Sequence, residues 1–438
     1  MSSEWPLKEL ELVAEEVTVG YVGPMASEYV DEGVPFLRSL NIEAFRVNVS
    51  EMKYVSLDFH QRIKKSALRP GDVAIVRTGK PGTCAVIPDW LAEANCSDLV
   101  IVRCGKEIRP RFLCYWVNSI ASHHISSHTV GAVQQHFNVG AAKKMKVAVP
   151  DISTQDAVVE VLGSIDDRIT LLRETNTTLE AISQALFKSW FVDFDPVRAK
   201  AEGRQPEDVD AATAALFSDR LETSVLGDLP VGWEVRPIGE MVAGIYDGPH
   251  ATPPEADDGP VFLGIKNLTG TSLDLSGIRH ISESDWVQWT RRVEPKHGDI
   301  VFSYEATLGF FALIPPDVRC CLGRRLALVR PHAENGAGLF WFHQFISTPF
   351  QQLLDKHTIH GATVNRIALK AFPGYLVINP PEPLKLAFDG LVAPLWAAIH
   401  ENQARAQTLT QLRDTLLPRL VSGQLRLPEA ELMLAETG

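Results

Sequence analysis

Two long stretches of this chain repeat one another, and that repetition constrains the fold more than any other feature. Pro35-Phe36-Leu37-Arg38-Ser39-Leu40-Asn41-Ile42 is echoed by Val261-Phe262-Leu263-Gly264-Ile265-Lys266-Asn267-Leu268. Leu68-Arg69-Pro70-Gly71-Asp72-Val73 returns as Val293-Glu294-Pro295-Lys296-His297-Gly298-Asp299-Ile300, and Val102-Arg103 as Val329-Arg330. The offset is about 226 to 230 residues in a chain of 438. Solenoid units repeat every ~20–50 residues, so this is a whole domain with its connector, written twice. Two related modules in one chain suit a target with two related parts.

Within each copy, short β runs are punctuated by Gly and Pro: Asp72–Arg77, Leu99–Val102 and Asp299–Ser303. One helical patch follows in each, near Phe112–Ile120 and Leu339–Leu354. The expected fold class is α+β, with two similar globular modules.

After each module the apolar period changes from 2 to 3.5. Val158, Leu162, Ile165, Ile169, Leu172, Asn176, Leu179, Ser183, Leu186 and Trp190 step by four and three without a break. Phe388, Val392, Leu395, Ile399, Asn402, Ala406, Leu409, Arg413, Leu416 and Leu420 do the same. About four sustained heptads predict two coiled-coil helices that pair with each other. Core packing inside each module is the blander reading of the same stripes. Asn176 and Asn402 break the seam once each, as register-setting residues do. Ser153 with Thr154 and Gln155 supplies an N-cap signal, Pro196 bounds the first helix, and Pro418 then Gly423 bound the second. The expected organisation is a module over 1–150, a long helix over 151–195, a helical or partly mobile linker over 196–228, a second module over 229–380, a second long helix over 381–425 and a tail over 426–438.

The formal charge of −12 argues at first against a nucleic-acid partner, since phosphate neutralisation needs Lys and Arg. Its distribution removes that objection without deciding the question. Residues 151–225 alone carry a net −8, whereas residues 1–150 carry +1, so the first module is free to present a local basic face. With 45% hydrophobic and 22% charged residues the composition is that of folded protein. No apolar run reaches the ~18 residues of a membrane span, and a cytoplasmic protein is expected. The six cysteines form no C-x-x-C pair and read as buried free thiols.

No phosphate-binding glycine loop, H-E-x-x-H helix or G-x-S-x-G elbow is present. Asn379-Pro380-Pro381-Glu382 approaches the N-P-P-aromatic loop of amino-methylating enzymes, but Glu382 has no ring to stack a flipped base. His123, His124 and His128 lack helical ligand spacing and a nearby carboxylate, so no metal site is expected. What remains are basic clusters with base-reading side chains beside them. In the first copy these are Arg38, Asn41, Lys64, Lys65, Lys80, Gln134, His136, Lys143 and Lys144. In the second they are Lys266, Asn267, Arg291, Arg292, Tyr304, Arg324, Arg325, Asn365 and Arg366. Arg pairs bidentately with guanine, and Asn or Gln with adenine, in the major groove of duplex DNA. The candidate role is sequence-specific DNA binding without catalysis. A stand-alone DNA methyltransferase or nuclease with its own recognition domains is the alternative.

The arrangement resembles the specificity subunit of type I restriction–modification enzymes over nearly the whole chain. The most telling stretches are Leu68-Arg69-Pro70-Gly71-Asp72-Val73, Ile165-Asp166-Asp167-Arg168-Ile169, Leu186-Phe187-Lys188-Ser189-Trp190-Phe191 and Leu416-Leu417-Pro418-Arg419-Leu420-Val421-Ser422-Gly423. Trp5-Pro6-Leu7 and Leu229-Pro230-Val231-Gly232-Trp233 are similar to the family's domain openings. The second copy departs from the pattern at His360–Asn365, where the family often has a Gln, and at Arg413.

The resemblance implies two target-recognition domains, each reading half of a split, asymmetric DNA sequence. Long antiparallel helices would act as a ruler for the unread spacer and as the docking site for modification subunits, two of them. It implies no cofactor in this chain: S-adenosylmethionine would come with the modification subunits, and ATP with Mg on a restriction subunit. The assembled complex would be a site-specific deoxyribonuclease and adenine methyltransferase.

Overall fold

A computed structural model describes residues 5–121, 125, 137–332, 338–361 and 364–430. The chain divides into two compact units, one made of residues 1–171 with 406–438 and the other of residues 172–405. Both are mixed helix and strand.

In the first unit a four-stranded antiparallel sheet runs Cys84–Val86, Val73–Val76, Leu99–Cys104, Ala14–Val19 in spatial order. Val73 to Val76 are all buried, as are Leu99 to Val102, so these strands read as continuous apolar runs. A second sheet pairs Val34–Leu37 in parallel with Ala94–Cys96. Its apolar faces bury Phe36, Val55 and Phe59 on one side and Leu37, Leu68 and Cys96 on the other.

The second unit repeats the plan. Gly244–Asp247, Leu326–Arg330, Ile300–Ser303 and Phe311–Leu313 form the same sheet in the same relative order. Ala256–Leu263 pairs in parallel with Cys320–Leu322. The sequence echo is therefore a structural repeat, down to individual bonds. Asp72 accepts from the Arg69 amide at 2.9 Å, and Asp299 from the Lys296 amide at 2.8 Å. Gly71 and Gly298 take φ of 84° and 82°, a left-handed conformation that glycine adopts without steric penalty. The repeated arginine answers the repeated aspartate: Arg103 lies 3.5 Å from Asp72, and Arg330 grips Asp299 through two bonds of 2.9 and 2.6 Å.

Each module is also tied at its own ends. Leu7–Glu9 pairs antiparallel with Lys146–Ala148, and Glu234–Pro237 with Leu376–Asn379.

The two 3.5-residue stripes are helices over Ile152–Phe191 and Glu382–Ser422. In the first unit Val158, Leu162, Ile165 and Ile169 are buried, as are Leu416, Leu420 and Val421. There Arg413 Nη1 donates to Asp166 at 2.9 Å. In the second unit Leu172, Asn176, Val392 and Ile399 are buried. Asn176 donates to the Ile399 carbonyl at 3.1 Å, and Asn402 donates to Asn176 at 2.9 Å. Phe187 meets Phe388 at 5.6 Å between centroids. Numbers rise along one helix as they fall along the other, so the pairing is antiparallel. Asn176 and Asn402 occupy equivalent places in the repeat and bond to each other, which marks a local twofold in the seam.

The details depart from strict heptads. Leu186 and Leu395 are only half-buried, and their neighbours Phe187 and Trp396 are buried instead. The reason is that this stretch also serves the module. Phe187 lies 5.7 Å from Phe340, and Trp396 4.8 Å from Phe342, so the apolar face widens from a seam to a core. Leu179 and Leu409 are likewise half-buried, and Ala406 is buried.

The helix ends also differ from expectation. Asp151 caps the first helix, accepting from the Thr154 amide at 3.0 Å and from Ser153, which pulls its carboxyl down to about 2. Ser153 itself lies inside the helix. The helix stops at Phe191, before Pro196, where Phe194 turns left-handed at φ 57°. Pro418 lies within the second helix rather than ending it, and Gly423 at φ 83° closes it. Residues 196–228 hold the helices Asp195–Ala201 and Ala211–Ala215 and a hairpin. Val197 and Phe217 from this stretch lie in the core of the second unit.

All six cysteines are free thiols and five are buried, with Cys104 half-buried. Among the described residues no helix is long and apolar enough to cross a membrane.

Candidate nucleic-acid interface

The predicted contact residues fall into three groups. Exposed ones include Lys64, Lys65, Lys80 and Lys144 in the first unit, with Lys143 half-buried. In the second unit Lys266, Arg291, Arg292, Arg324, Asn365 and Arg366 are exposed and Arg325 is half-buried. Arg292 is paired with Asp247 at 2.5 Å. Gln134 and His136, like His123, His124 and His128, lie outside the described residues.

The second group is committed to the fold. Asn41 is fully buried and Asn267 nearly so, at 0% and 3% exposure. Asn41 accepts from the Arg38 amide at 3.0 Å and donates to Asn48 and Ser50 carbonyls. Asn267 accepts from the Gly264 amide at 2.9 Å and donates to Asp274 at 3.0 Å. An amide buried inside a loop and bonded there at both its oxygen and its nitrogen does not reach a base edge. Neither Asn is a reader in this conformation. Tyr304 belongs to the same group: it is 5% exposed, packed into the core of its unit, and burial pushes its hydroxyl pKa up.

Arg38 stands alone as the third case. It is half-buried and donates through Nη2 to the Glu51 carbonyl at 2.7 Å.

The structure brings Lys266, Arg324 and Arg325 together around one cleft in the second unit. Its volume is about 390 Å³, and Phe262, Ile265, Arg279 and Gly264 also line it. Two loops supply the cations. The first is the 3-10 turn Ile265–Asn267, held shut by Asn267, which forces Lys266 outward. The second follows the strand Cys320–Leu322, where Gly323 lies so close to the Leu263 carbonyl that a Cβ would sit 2.6 Å from it. Arg325 then turns left-handed at φ 72° and meets Glu305 at 3.5 Å. Arg279 is paired more loosely with Glu255, at 3.7 Å. Lys266 and Arg324 have no acidic partner among the described residues. The Arg279 Nε is buried without a hydrogen-bond acceptor, whereas the Arg325 Nε is the atom that faces Glu305. Glu255 also lines the cleft, so Lys266, Arg279, Arg324 and Arg325 face a single lining acid around an apolar floor, and that surplus of positive charge suits an anion with an apolar body, such as a nucleotide unit.

Sequence reasoning missed Arg279 and the glycines. The signal available was the repeat itself: Gly264 stands where the first copy has Arg38, a substitution that opens space. It also missed an exposed helix surface. Ile182 on the first helix and Leu386 and Leu391 on the second are 50%, 43% and 48% exposed. Between Lys385 and Glu401 the second helix carries no charge except the buried Asp389.

No family model matches the chain. Among curated proteins, the type I restriction enzyme MjaIX specificity subunit of Methanocaldococcus jannaschii is 22% identical over 439 residues, covering 97% of this chain and 94% of the relative. The HindI specificity subunit of Haemophilus influenzae is 25% identical over 326 residues, covering 65% and 70% respectively. The crystal structure of a type I restriction–modification S subunit from M. genitalium shares the fold, with a TM-score of 0.52 at 12% identity over 95% of this chain and 96% of that one. In sequence over nearly its full length, and in fold, this chain is therefore similar to the specificity subunits of type I restriction–modification systems.

Proposed function

We propose that this chain is the non-catalytic, sequence-specific DNA-binding subunit of a type I restriction–modification system. The observation that carries this reading is the duplicated module attached to an antiparallel helix pair, in a chain whose curated relatives are specificity subunits. Each module reads one half of a split target. Because the modules differ at most candidate contact positions, the two halves are expected to differ in sequence.

The helices act as the ruler. A helix of about 40 residues is ~60 Å long, and half-sites one turn of DNA apart lie about 34 to 36 Å from centre to centre, so a paired rod of this length is sufficient to set such a distance. The exposed, uncharged face around Leu386 and Leu391 supports docking of modification subunits on the helices. Those partners would bring S-adenosylmethionine, and a restriction subunit would bring ATP and Mg.

Inserting one heptad into both helices tests the ruler, with the methylation pattern of host DNA as the readout. The expected result is a bipartite motif whose halves keep their sequence while the spacer changes. An unchanged spacer overturns the ruler. Methylation by the isolated chain with S-adenosylmethionine, without any partner, overturns the non-catalytic assignment.

A further inference from the structure

We propose that the two modules grip DNA unequally: the cleft of the second unit holds a segment of the sugar–phosphate backbone, and the corresponding place in the first unit is plugged. This inference rests on the DNA-binding reading above.

The correspondence is fixed by matched bonds. Asn41 and Asn267 close the same turn, and the Asn48 amide donates to the Asn41 carbonyl as the Asp274 amide does to Asn267, both at 2.8 Å. Ser50 caps onto Asn48 as Ser276 does onto Asp274, at 2.9 and 2.8 Å. Glu51 and Gly277, the next residues, are both left-handed at φ 52° and 56°. Arg77 donates its amide to the Asp98 carbonyl as Tyr304 does to Arg325, and Asp98 and Arg325 are again both left-handed, at φ 55° and 72°. The backbone is one design used twice.

The side chains on it are opposite in character. Gly264 and Gly277 leave the second cleft open, where the first copy has Arg38 and Glu51. The Arg38 guanidinium crosses that space and ends on the Glu51 carbonyl at 2.7 Å. Arg325 stands where the first copy has Asp98, whose carboxylate takes a bond from Ser39 at 3.2 Å. Lys266 stands where the first copy has Leu40. One place is open, with Lys266, Arg279, Arg324 and Arg325 outnumbering Glu255 in its lining; the other is filled by Arg38, and its Asp98, 4.0 Å from Arg77, occupies the position of the second copy's arginine. An anionic strand is attracted to the former and excluded from the latter.

Filling the cleft while adding positive charge separates this idea from general attraction to a basic surface. Gly264 has φ −94° and ψ 165°, which any residue adopts, and the nearest atom to a Cβ there is 3.6 Å away. The full-length chain is titrated with a fluorescein-labelled DNA duplex of mixed sequence at several salt concentrations. Gly264→Arg is expected to keep the natural chain's melting temperature and to bind roughly tenfold more weakly despite its extra cation. Lys266→Ala with Arg324→Ala should lower the slope of log affinity against log salt by about 2, near 0.9 per lost phosphate contact. Arg220→Ala, an exposed cation outside the cleft, should leave the slope unchanged. Equal or tighter binding by Gly264→Arg overturns the proposal, as does an unchanged slope in the double variant. No salt-dependent binding by the natural chain overturns the DNA-binding reading, and this proposal with it.

Discussion

Arg413 interrupts an apolar row in the sequence, and its environment explains how a helix seam tolerates it. Its guanidinium lies over the Phe45 ring at 4.4 Å and donates to Asp166, whose other oxygen accepts from Tyr115 at 2.7 Å. A half-buried pair of this kind adds little beyond its desolvation cost, but breaking it strands a charge. Arg413→Leu should therefore lower unfolding stability by about 3 kcal/mol, and adding Asp166→Leu should restore most of it; urea denaturation of the three proteins checks both. His343 is the opposite case, a base with no charge partner among the described residues. It is 1% exposed, packed among Phe187, Phe388 and Trp396, and burial lowers its pKa to about 4. Its folded value lies below the ordinary 6.5, so protonation favours the unfolded chain and stability is lost as pH falls from about 6.5 towards 4. Asp389 in the same unit is pushed up to about 7 by burial and contributes with the opposite sign, stability lost as pH rises towards 7. Comparison of the natural chain with His343→Phe isolates the histidine. Stability at pH 7 minus stability at pH 4 should be about 3 kcal/mol lower in the variant, since each tenfold loss of proton affinity on folding is worth ~1.4 kcal/mol. At this scale the sequence was legible in an instructive way. Asn suits adenine, which makes Asn41 and Asn267 look like readers, yet they are identical in both copies because both copies need the same turn. Residues the copies share build the fold, whereas Arg38 against Gly264, and Asp98 against Arg325, are where they diverge.

The long helices were legible from periodicity because burial of one face dictates spacing whatever the partner. The exact seam was not. From Phe187 and Trp396 onward the same face packs into the aromatic core of the second module, and a 3.5-residue count carries no information about that second surface. Phe388 shows the combined role, touching Phe187, Trp190 and Phe191 at 5.6, 6.1 and 5.3 Å. Phe388→Ala should cost about 3–5 kcal/mol, against less than about 0.5 kcal/mol for the exposed Leu386→Ala; thermal unfolding of the two variants checks the contrast. Helix boundaries were less legible still. A proline such as Pro418 removes one donor, and a helix held by burial on both sides of it, at Leu416, Leu417, Leu420 and Val421, continues through. Gly423 ends the helix because a left-handed residue reverses the chain, which no packing overrides.

At the scale of the whole chain, duplication is visible in the sequence itself, and it decides more of the architecture than composition or charge. The cleft carries no motif of its own, because it arises from side chains missing at Gly264 and Gly277; its cations are legible as basic clusters, and only the comparison of the two copies, Gly264 against Arg38, marks the opening. The uncharged surface of the second helix is hidden for a related reason: a heptad pattern describes the buried face only. Leu391→Glu should leave the melting temperature within a degree or two of the natural chain, since a surface change costs less than about 0.5 kcal/mol. It should also sharply reduce co-purification with modification subunits if they dock there.

The strand pairs that join each module's first residues to its last have a further consequence. Because Leu7–Glu9 lies against Lys146–Ala148, and Glu234–Pro237 against Leu376–Asn379, the polypeptide enters and leaves each module at a single clasp. A foreign segment bearing the same clasp can be spliced in at that point without rerouting the rest of the backbone, so one module is open to replacement by cassette exchange while the other is inherited intact.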